Sequence, residues 1–267
     1  MKVVRTSSPA PIVDVPPSDS PRVSFVLVAY GTGPILLDTL ASIVATTGEI
    51  AYEVIVVDNP HPRAGDRTYT DLLLSTHGVR VLQPDTNLGF GGGCNAGAGA
   101  AQAEYLCLLN PDVTLPSGWL PPLLEVLEHE DASSVVAPTL LDDDGAVQEC
   151  GQILYADGTT RPRRRPADGT PFEADYASAA CWVTRTASFR ALGGFDPAFH
   201  PAYFEDVDYV LRTRRAGGRC VVHPGVAVTH HQGRGTPDAP SPAHHQRELL
   251  VAKWPELAAT QPVAPSG

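Results

Sequence analysis

The sequence predicts an α/β protein with a mostly parallel central sheet flanked by helices. Short apolar runs of strand length alternate with helical patterns, and polar residues follow the runs directly. Runs without polar interruption suit strands buried on both faces, as parallel sheets require when crossover helices cover both sides.

The first run, Val-Ser-Phe-Val-Leu-Val-Ala at 23–29, reads as a buried strand. A helix is expected over 34–46, where Ile35, Leu36, Leu40, Ile43 and Val44 recur at three- and four-residue spacing. A second strand at 53–57 ends on Asp58-Asn59, a weaker helix lies near 68–76, and a third strand covers 79–82. A glycine-rich loop over 87–97 leads into alanine-rich helix up to Ala103, then a fourth strand at 105–109. In such sheets ligands gather at the carboxyl ends of the strands, and Tyr30, Asp58, Asn87 and Asn110-Pro-Asp112 fall there.

The second half is less regular. A helix over 119–129 precedes a short strand at 134–137, and 142–176 is an Asp-, Gly-, Pro- and Arg-rich loop. Its basic knot, Arg161-Pro-Arg-Arg-Arg165, reads as solvated loop in preference to a phosphate or acceptor contact. A strand at 177–184, a short helix at 186–192 stopped by Gly193-Gly194, and a helix at 205–216 ending on Gly217-Gly218 come next. Two strands near 219–222 and 226–230 and a C-terminal helix from Ser241 to Lys253 complete the pattern. The expected organisation is a tail at 1–20, one domain at 21–256 and a second tail at 257–267.

With 267 residues, 43% of them hydrophobic, the chain can bury a sizeable core. Its formal charge of −11 argues against a general nucleic-acid binder, which needs a basic face. An anionic ligand stays compatible with that charge if a divalent cation and backbone N–H groups supply positive potential. The five cysteines are widely spaced without a C-x-x-C, so neither a zinc site nor a disulfide framework is expected and a cytoplasmic location is the simplest reading. No segment reaches the roughly 18 apolar residues of a membrane span, which leaves peripheral association open.

Each candidate residue has an ordinary structural explanation as well. Asp58 closes a strand and serves equally as a turn residue or as a carboxylate facing a base or ribose. Pro111 leaves Asp112 in a turn, where one carboxylate suits Mg²⁺ or Mn²⁺ only if phosphate oxygens and water complete the shell. Glu205-Asp206-Val-Asp208 opens a helix, where the macrodipole favours carboxylates; three in four positions exceed what capping needs. They follow the aromatic run Phe199-His-Pro-Ala-Tyr-Phe204, and a carboxyl beside aromatic walls gains proton affinity, as a general base requires. His230-His231 ends a strand, so only one imidazole faces the site. Gly91-x-Gly93-x-x-Ala96 also matches a dinucleotide fingerprint with Asp112 near the acidic ribose position, the signature of an oxidoreductase, although Gln83 to Phe90 intervene after the strand.

In order, Val23–Tyr30, Val54–Asn59, Asn87–Gly97, Leu108–Val113, Gly193–Asp196, Tyr203–Asp208, Arg214–Gly217 and His230-His231 resemble a bacterial family 2 glycosyltransferase of the rhamnosyltransferase-like group, over about residues 22 to 255. The resemblance implies a GT-A fold, hexosyl or deoxyhexosyl transfer from a dTDP-, UDP- or GDP-linked sugar, Mg²⁺ or Mn²⁺, and inversion at the anomeric carbon. By position, Ala29, Tyr30 and Asp58 would line the nucleotide pocket, while Asn87, Gly89 and Asn95 would shape the loop around ribose and diphosphate. Asp112 and His230 would be metal ligands and Asp206 the base, with Glu205 and Trp182 at the donor sugar or acceptor. Asn110-Pro replaces the acidic first position of the metal motif, and Ala-Tyr-Gly replaces the usual end of the first strand. A sugar-nucleotide pyrophosphorylase and a sugar-nucleotide-binding protein without turnover are the rival readings within the fold.

Overall fold

The computed structural model describes residues 13–61, 76–163, 169–231 and 243–264. Four parallel strands form the first half of the sheet: β1 (Val23–Ala29), β2 (Tyr52–Asp58), β3 (Val79–Leu82) and β4 (Tyr105–Leu109), in the order β4-β1-β2-β3. Helix α1 (Ile35–Thr46) crosses from β1 to β2, and α2 (Gly89–Ala100) leads from β3 back to β4. Residues 68–75 of the weaker expected helix lie outside the described residues.

Beyond β4 the sheet becomes mixed. After β5 (Val113–Thr114) and α3 (Leu120–His129) come β6 (Val135–Leu141), β7 (Val147–Glu149), β8 (Gln152–Leu154), β9 (Thr160–Pro162), β10 (Phe172–Glu173) and β11 (Cys181–Arg185). Strand β11 lies antiparallel between β4 and β6. The short helix α4 (Thr186–Ala191), helix α5 (Glu205–Arg215), the long strand β12 (Cys220–His230), α6 (Ala243–Lys253) and α7 (Leu257–Thr260) complete the chain. The full order is β10-β12-β6-β11-β4-β1-β2-β3, with β5 on β12 and β7 on β6. The two strands expected at 219–222 and 226–230 are one, its ladder with β6 interrupted by an irregularity between His223 and Ala227 where Pro224-Gly225 falls. Four short pieces of the expected 142–176 loop are antiparallel strand instead, too brief for periodicity to register.

Alternating residues of each central strand feed opposite cores. Phe25, Leu27, Val54, Val56, Cys107 and Leu109 pack on the face covered by α1 and α3. Val26, Val28, Ile55, Val57, Leu106 and Leu108 pack on the face covered by α2 and α5. This is the period-two geometry of a strand buried on both sides.

The segment expected as a glycine-rich loop is instead the first part of α2. A Cβ on Gly93 would lie 2.7 Å from Val28 Cγ1, and one on Gly97 would collide with Val26. The glycines sit four residues apart, so together they let one face of the helix lie directly on β1. Each loses about 0.5–1 kcal/mol of helix stability relative to alanine, offset by this contact. Arg190 of α4 caps the far end, donating to the Ala98 and Ala101 carbonyls at 2.6 Å each. The dinucleotide fingerprint thus lies inside a helix and not at a strand-to-helix turn.

Described residues of both expected tails take part in packing. Val13 and Val15 are buried, and their backbone exchanges hydrogen bonds with His77 at 3.0 Å. At the other end Leu257 is buried on α7. Proline-rich composition does not exclude docking when a few apolar side chains find the core.

Candidate active site

The polar residues collect where β1, β2 and β4 end. At β4, Pro111 and Val113 are pinned to α1: Thr39 Oγ1 donates to the Pro111 carbonyl (2.8 Å) and accepts from Val113 N (3.2 Å). This turn holds Asp112, which is buried. Strand β5 then pairs with the end of β12, placing His230 opposite Val113, and His231 N donates to the Asp112 carbonyl at 2.8 Å.

His230 Nε2 lies 3.5 Å from Asp112 Oδ1 and 3.2 Å from Asn110 Nδ2. The Gln148 amide donates through Nε2 to Asp142 Oδ1 (2.8 Å) and to the His230 carbonyl (3.4 Å), both acceptors. Its Oε1 is therefore the atom facing His230 Nδ1 at 2.8 Å, so in the neutral ring Nδ1 carries the proton and Nε2, beside Asp112, accepts from Asn110 Nδ2. A neutral imidazole oriented by an acceptor on its far nitrogen is the usual arrangement of a metal-ligating histidine. One nitrogen and one carboxylate fit a divalent cation that takes its remaining ligands from phosphate and water. Among the described residues, no group of three or more His, Cys, Asp or Glu could hold a metal. His231 turns away, pairing with Asp143 and with Thr114 Oγ1.

The acidic triplet of α5 divides into three environments. Asp208 is fully buried and structural: Arg212 Nε (2.9 Å), Lys253 Nζ (2.6 Å) and Trp254 Nε1 (2.8 Å) all meet its carboxylate. Glu205 is buried against Gly91 of α2, its Oε2 without a hydrogen bond. Burial, then the charge of Asp206, pushes its carboxyl well above the usual range. Asp206 is half-buried and accepts from Val207 N (2.8 Å) and Ala179 N (3.4 Å). Burial outweighs those amides and raises its pKa to about 6. Just before the helix, Tyr203 and Phe204 both have positive φ, 78° and 69°, and Tyr203 is exposed. Such backbone in non-glycine residues carries strain of about 1–3 kcal/mol each and tends to occur at functional sites.

At the ends of β1 and β2 the arrangement is looser. Tyr30 is half-buried and meets the His61 ring edge-on at 4.6 Å. Asp58 Oδ2 accepts from Gln83 Nε2 at 3.1 Å. Asn87 Oδ1 accepts from Gly89 N at 2.8 Å, and Gly89 takes φ +70° beneath Pro201, whose Cα would be 2.9 Å from an added Cβ. Ala29 has no exposed surface, and its carbonyl accepts from Asn59 N.

Two expected site residues are placed as braces. Asn95 donates to the Phe195 carbonyl and accepts from Phe195 N, both at 2.7 Å, so its amide joins α2 to the 194–195 turn. Trp182 is fully buried between Phe195 and Tyr209, and its Nε1 donates to the Ala177 carbonyl at 3.0 Å. Sequence reasoning missed Gln148 and Glu149, which it left in the 142–176 loop. Glu149 is buried, accepts from Ser178 N (2.7 Å) and Gln152 Nε2 (2.5 Å), and is raised to about 7 chiefly by burial. A Val-Gln-Glu run between Gly145 and Gly151 was the one available hint of a strand.

The model of the family described as Glycosyl transferase family 2 matches residues 24–193. An N-acetylglucosaminyl-diphospho-decaprenol L-rhamnosyltransferase of Mycobacterium tuberculosis (strain ATCC 25618 / H37Rv) is 28% identical over 84% of this chain and 82% of its own length. Among solved structures, GalNAc-T7 with UDP, GalNAc and Mn²⁺ superposes with a TM-score of 0.70 at 18% identity, covering 89% of this chain and 49% of that one. The mannosyltransferase PcManGT of Pyrobaculum calidifontis, in complex with GDP-Man and Mn²⁺, gives 0.58 at 14% identity over 92% of this chain and 66% of its own. The chain belongs to glycosyl transferase family 2. It is a glycosyltransferase with the GT-A fold, and its likeness to the mycobacterial enzyme is to a rhamnosyltransferase.

Proposed function

We propose that the protein transfers a hexosyl or deoxyhexosyl group from a nucleotide-diphosphate sugar to an acceptor hydroxyl, with inversion and with Asp206 as base. The observation that carries this reading is the half-buried Asp206 carboxylate at the start of α5, its proton affinity raised to about 6, on the same sheet edge as Asp112 and His230. A base in that range is ionised at neutral pH yet strong enough to accept a hydroxyl proton as the bond forms. The acceptor oxygen attacks the anomeric carbon, Asp206 takes its proton, and the bond to the diphosphate breaks with its electron pair leaving on the nucleotide. One displacement inverts the centre once.

Asp112 and His230 would hold Mg²⁺ or Mn²⁺, which neutralises charge on the departing diphosphate. Tyr30 and Asp58, the latter bonded to Gln83, would meet the nucleoside, and Asn87 and Gly89 would shape the approach to it. Relatives and neighbours named for rhamnosyl transfer, UDP and GDP-Man support a sugar nucleotide and leave its base and sugar open. No helix among the described residues is long and apolar enough to cross a membrane, compatible with catalysis in the cytoplasm on a free or surface-bound acceptor.

The test is a thermal-shift panel of dTDP-, UDP- and GDP-linked sugars with and without Mn²⁺, followed by turnover of the stabilising donor. Asp206→Asn should retain donor binding and lose about 10²–10⁴-fold in turnover. Stabilisation by none of the donors would refute the reading. Tight donor binding with no turnover on any acceptor would favour a binding protein instead.

A further inference from the structure

The segment 176–180 lies between the two halves of the site, and much of its backbone is held from outside. Ala177 O is held by Trp182, Ser178 N by Glu149, Ala179 N by Asp206, and Ala180 O by Asn110 N at 2.8 Å. Two successive amides therefore bind two carboxyl groups from separate elements, β7 and α5. The bonds are unequal. Ser178 meets Glu149 at 2.7 Å, the short end of the N–H···O range, while Ala179 meets Asp206 at a slack 3.4 Å. The tight bond sets the segment, and the slack one follows it.

We propose that Glu149 is a positioning residue for the transfer reaction. Through the Ser178 amide it fixes the segment that presents the Ala179 amide to Asp206 and the Ala180 carbonyl to Asn110, holding the base in register with the Asn110–Asp112 turn. The inference rests on the reading of Asp206 as base. Nothing in packing calls for a carboxyl at this buried position. What the position needs is an acceptor aimed at Ser178 N, held in place by Gln152 on the other oxygen.

Two substitutions separate this role from bulk and charge. Glu149→Gln keeps an oxygen for Ser178 N, and its new NH₂ can donate to Gln152 Oε1, which has no partner now, once that amide turns over. Glu149→Met keeps comparable volume and removes the acceptor. With the nucleotide sugar that most stabilises the wild type, Glu149→Met should lower kcat by about 10- to 100-fold and leave donor KM within about 3-fold, whereas Glu149→Gln should stay within about 3-fold in both. In ¹H–¹⁵N spectra the Ala179 amide should move in Glu149→Met and keep its position in Glu149→Gln.

A Glu149→Met enzyme with wild-type kcat, or a Gln variant as slow as the Met variant, overturns the proposal. An unmoved Ala179 resonance in Glu149→Met overturns it too. If the wild type turns over no nucleotide sugar, the transferase mechanism fails, while the Ala179 resonance still decides the positioning role. Should Glu149→Met not fold, Glu149→Ala takes the same measurements.

Discussion

Replacing Asp208 by asparagine removes the negative charge at a buried junction between α5 and α6. The carboxylate has no exposed surface and meets Arg212 Nε at 2.9 Å, Lys253 Nζ at 2.6 Å and Trp254 Nε1 at 2.8 Å. Breaking a buried ion pair from one side generally costs about 3–5 kcal/mol, because the partner charge stays buried and unpaired. Here both cations keep other partners: Lys253 reaches Asp196 at 2.6 Å, and Arg212 donates to the Leu192 and Gly194 carbonyls at 2.5 and 2.7 Å. The low end, about 3 kcal/mol, is therefore expected, and for a protein of this size that lowers Tm by about 6–12 °C. Scanning calorimetry of wild type, Asp208→Asn, Lys253→Met and the double variant checks it. The Asp208 change should be milder in the Lys253→Met background, with a coupling of about 0.5–3 kcal/mol. A single variant melting within about 2 °C of wild type would refute the assignment of Asp208 as a structural anchor.

Three further outcomes are expected. Gly97→Ala should destabilise by about 1–3 kcal/mol because its Cβ collides with Val26, while Gly99→Ala, exposed with open space around it on the same helix, should stabilise by about 0.5–1 kcal/mol; urea titration of both tests whether close packing selects the glycines. The Asp206 carboxyl must be ionised to act as base and burial raises it to about 6, so kcat/KM should fall as pH drops below about 6 and level off above; a limb near the usual carboxylate range would argue against it. Gln148→Leu removes the acceptor that orients His230, and Mn²⁺ affinity in the presence of nucleoside diphosphate should weaken by about 10- to 100-fold in titrations followed by EPR.

The parallel half of the fold was legible because its signals are local. Runs at 23–29, 79–82 and 105–109 have the observed bounds of β1, β3 and β4; in β1 and β4 burial on both faces is written into consecutive residues, while β3, at the sheet edge, is only partly covered. Asp112, Asp206 and His230 also stood out in the sequence as candidates. Their order with the 87–97 segment carried the family resemblance that the family match bears out. Glu149 was invisible because a three-residue strand carries no measurable period. The 87–97 segment misled because glycine lowers helix propensity, and only the proximity of β1 reverses that judgement.

By itself, the sequence determined the alternation of strands and helices and the family to which the chain belongs. It also put carboxylates after a strand and at a helix start, each a property of neighbours along the chain. Tertiary structure alone decided which of two adjacent histidines meets Asp112, through the pairing of β5 with β12 across more than a hundred residues. It likewise assigned Asp208 and Trp182 to the interior, leaving Asp206 half-buried beside the Ala179 amide. Proton affinity and orientation depend on what surrounds a group in space, and residues distant in sequence supply most of those surroundings.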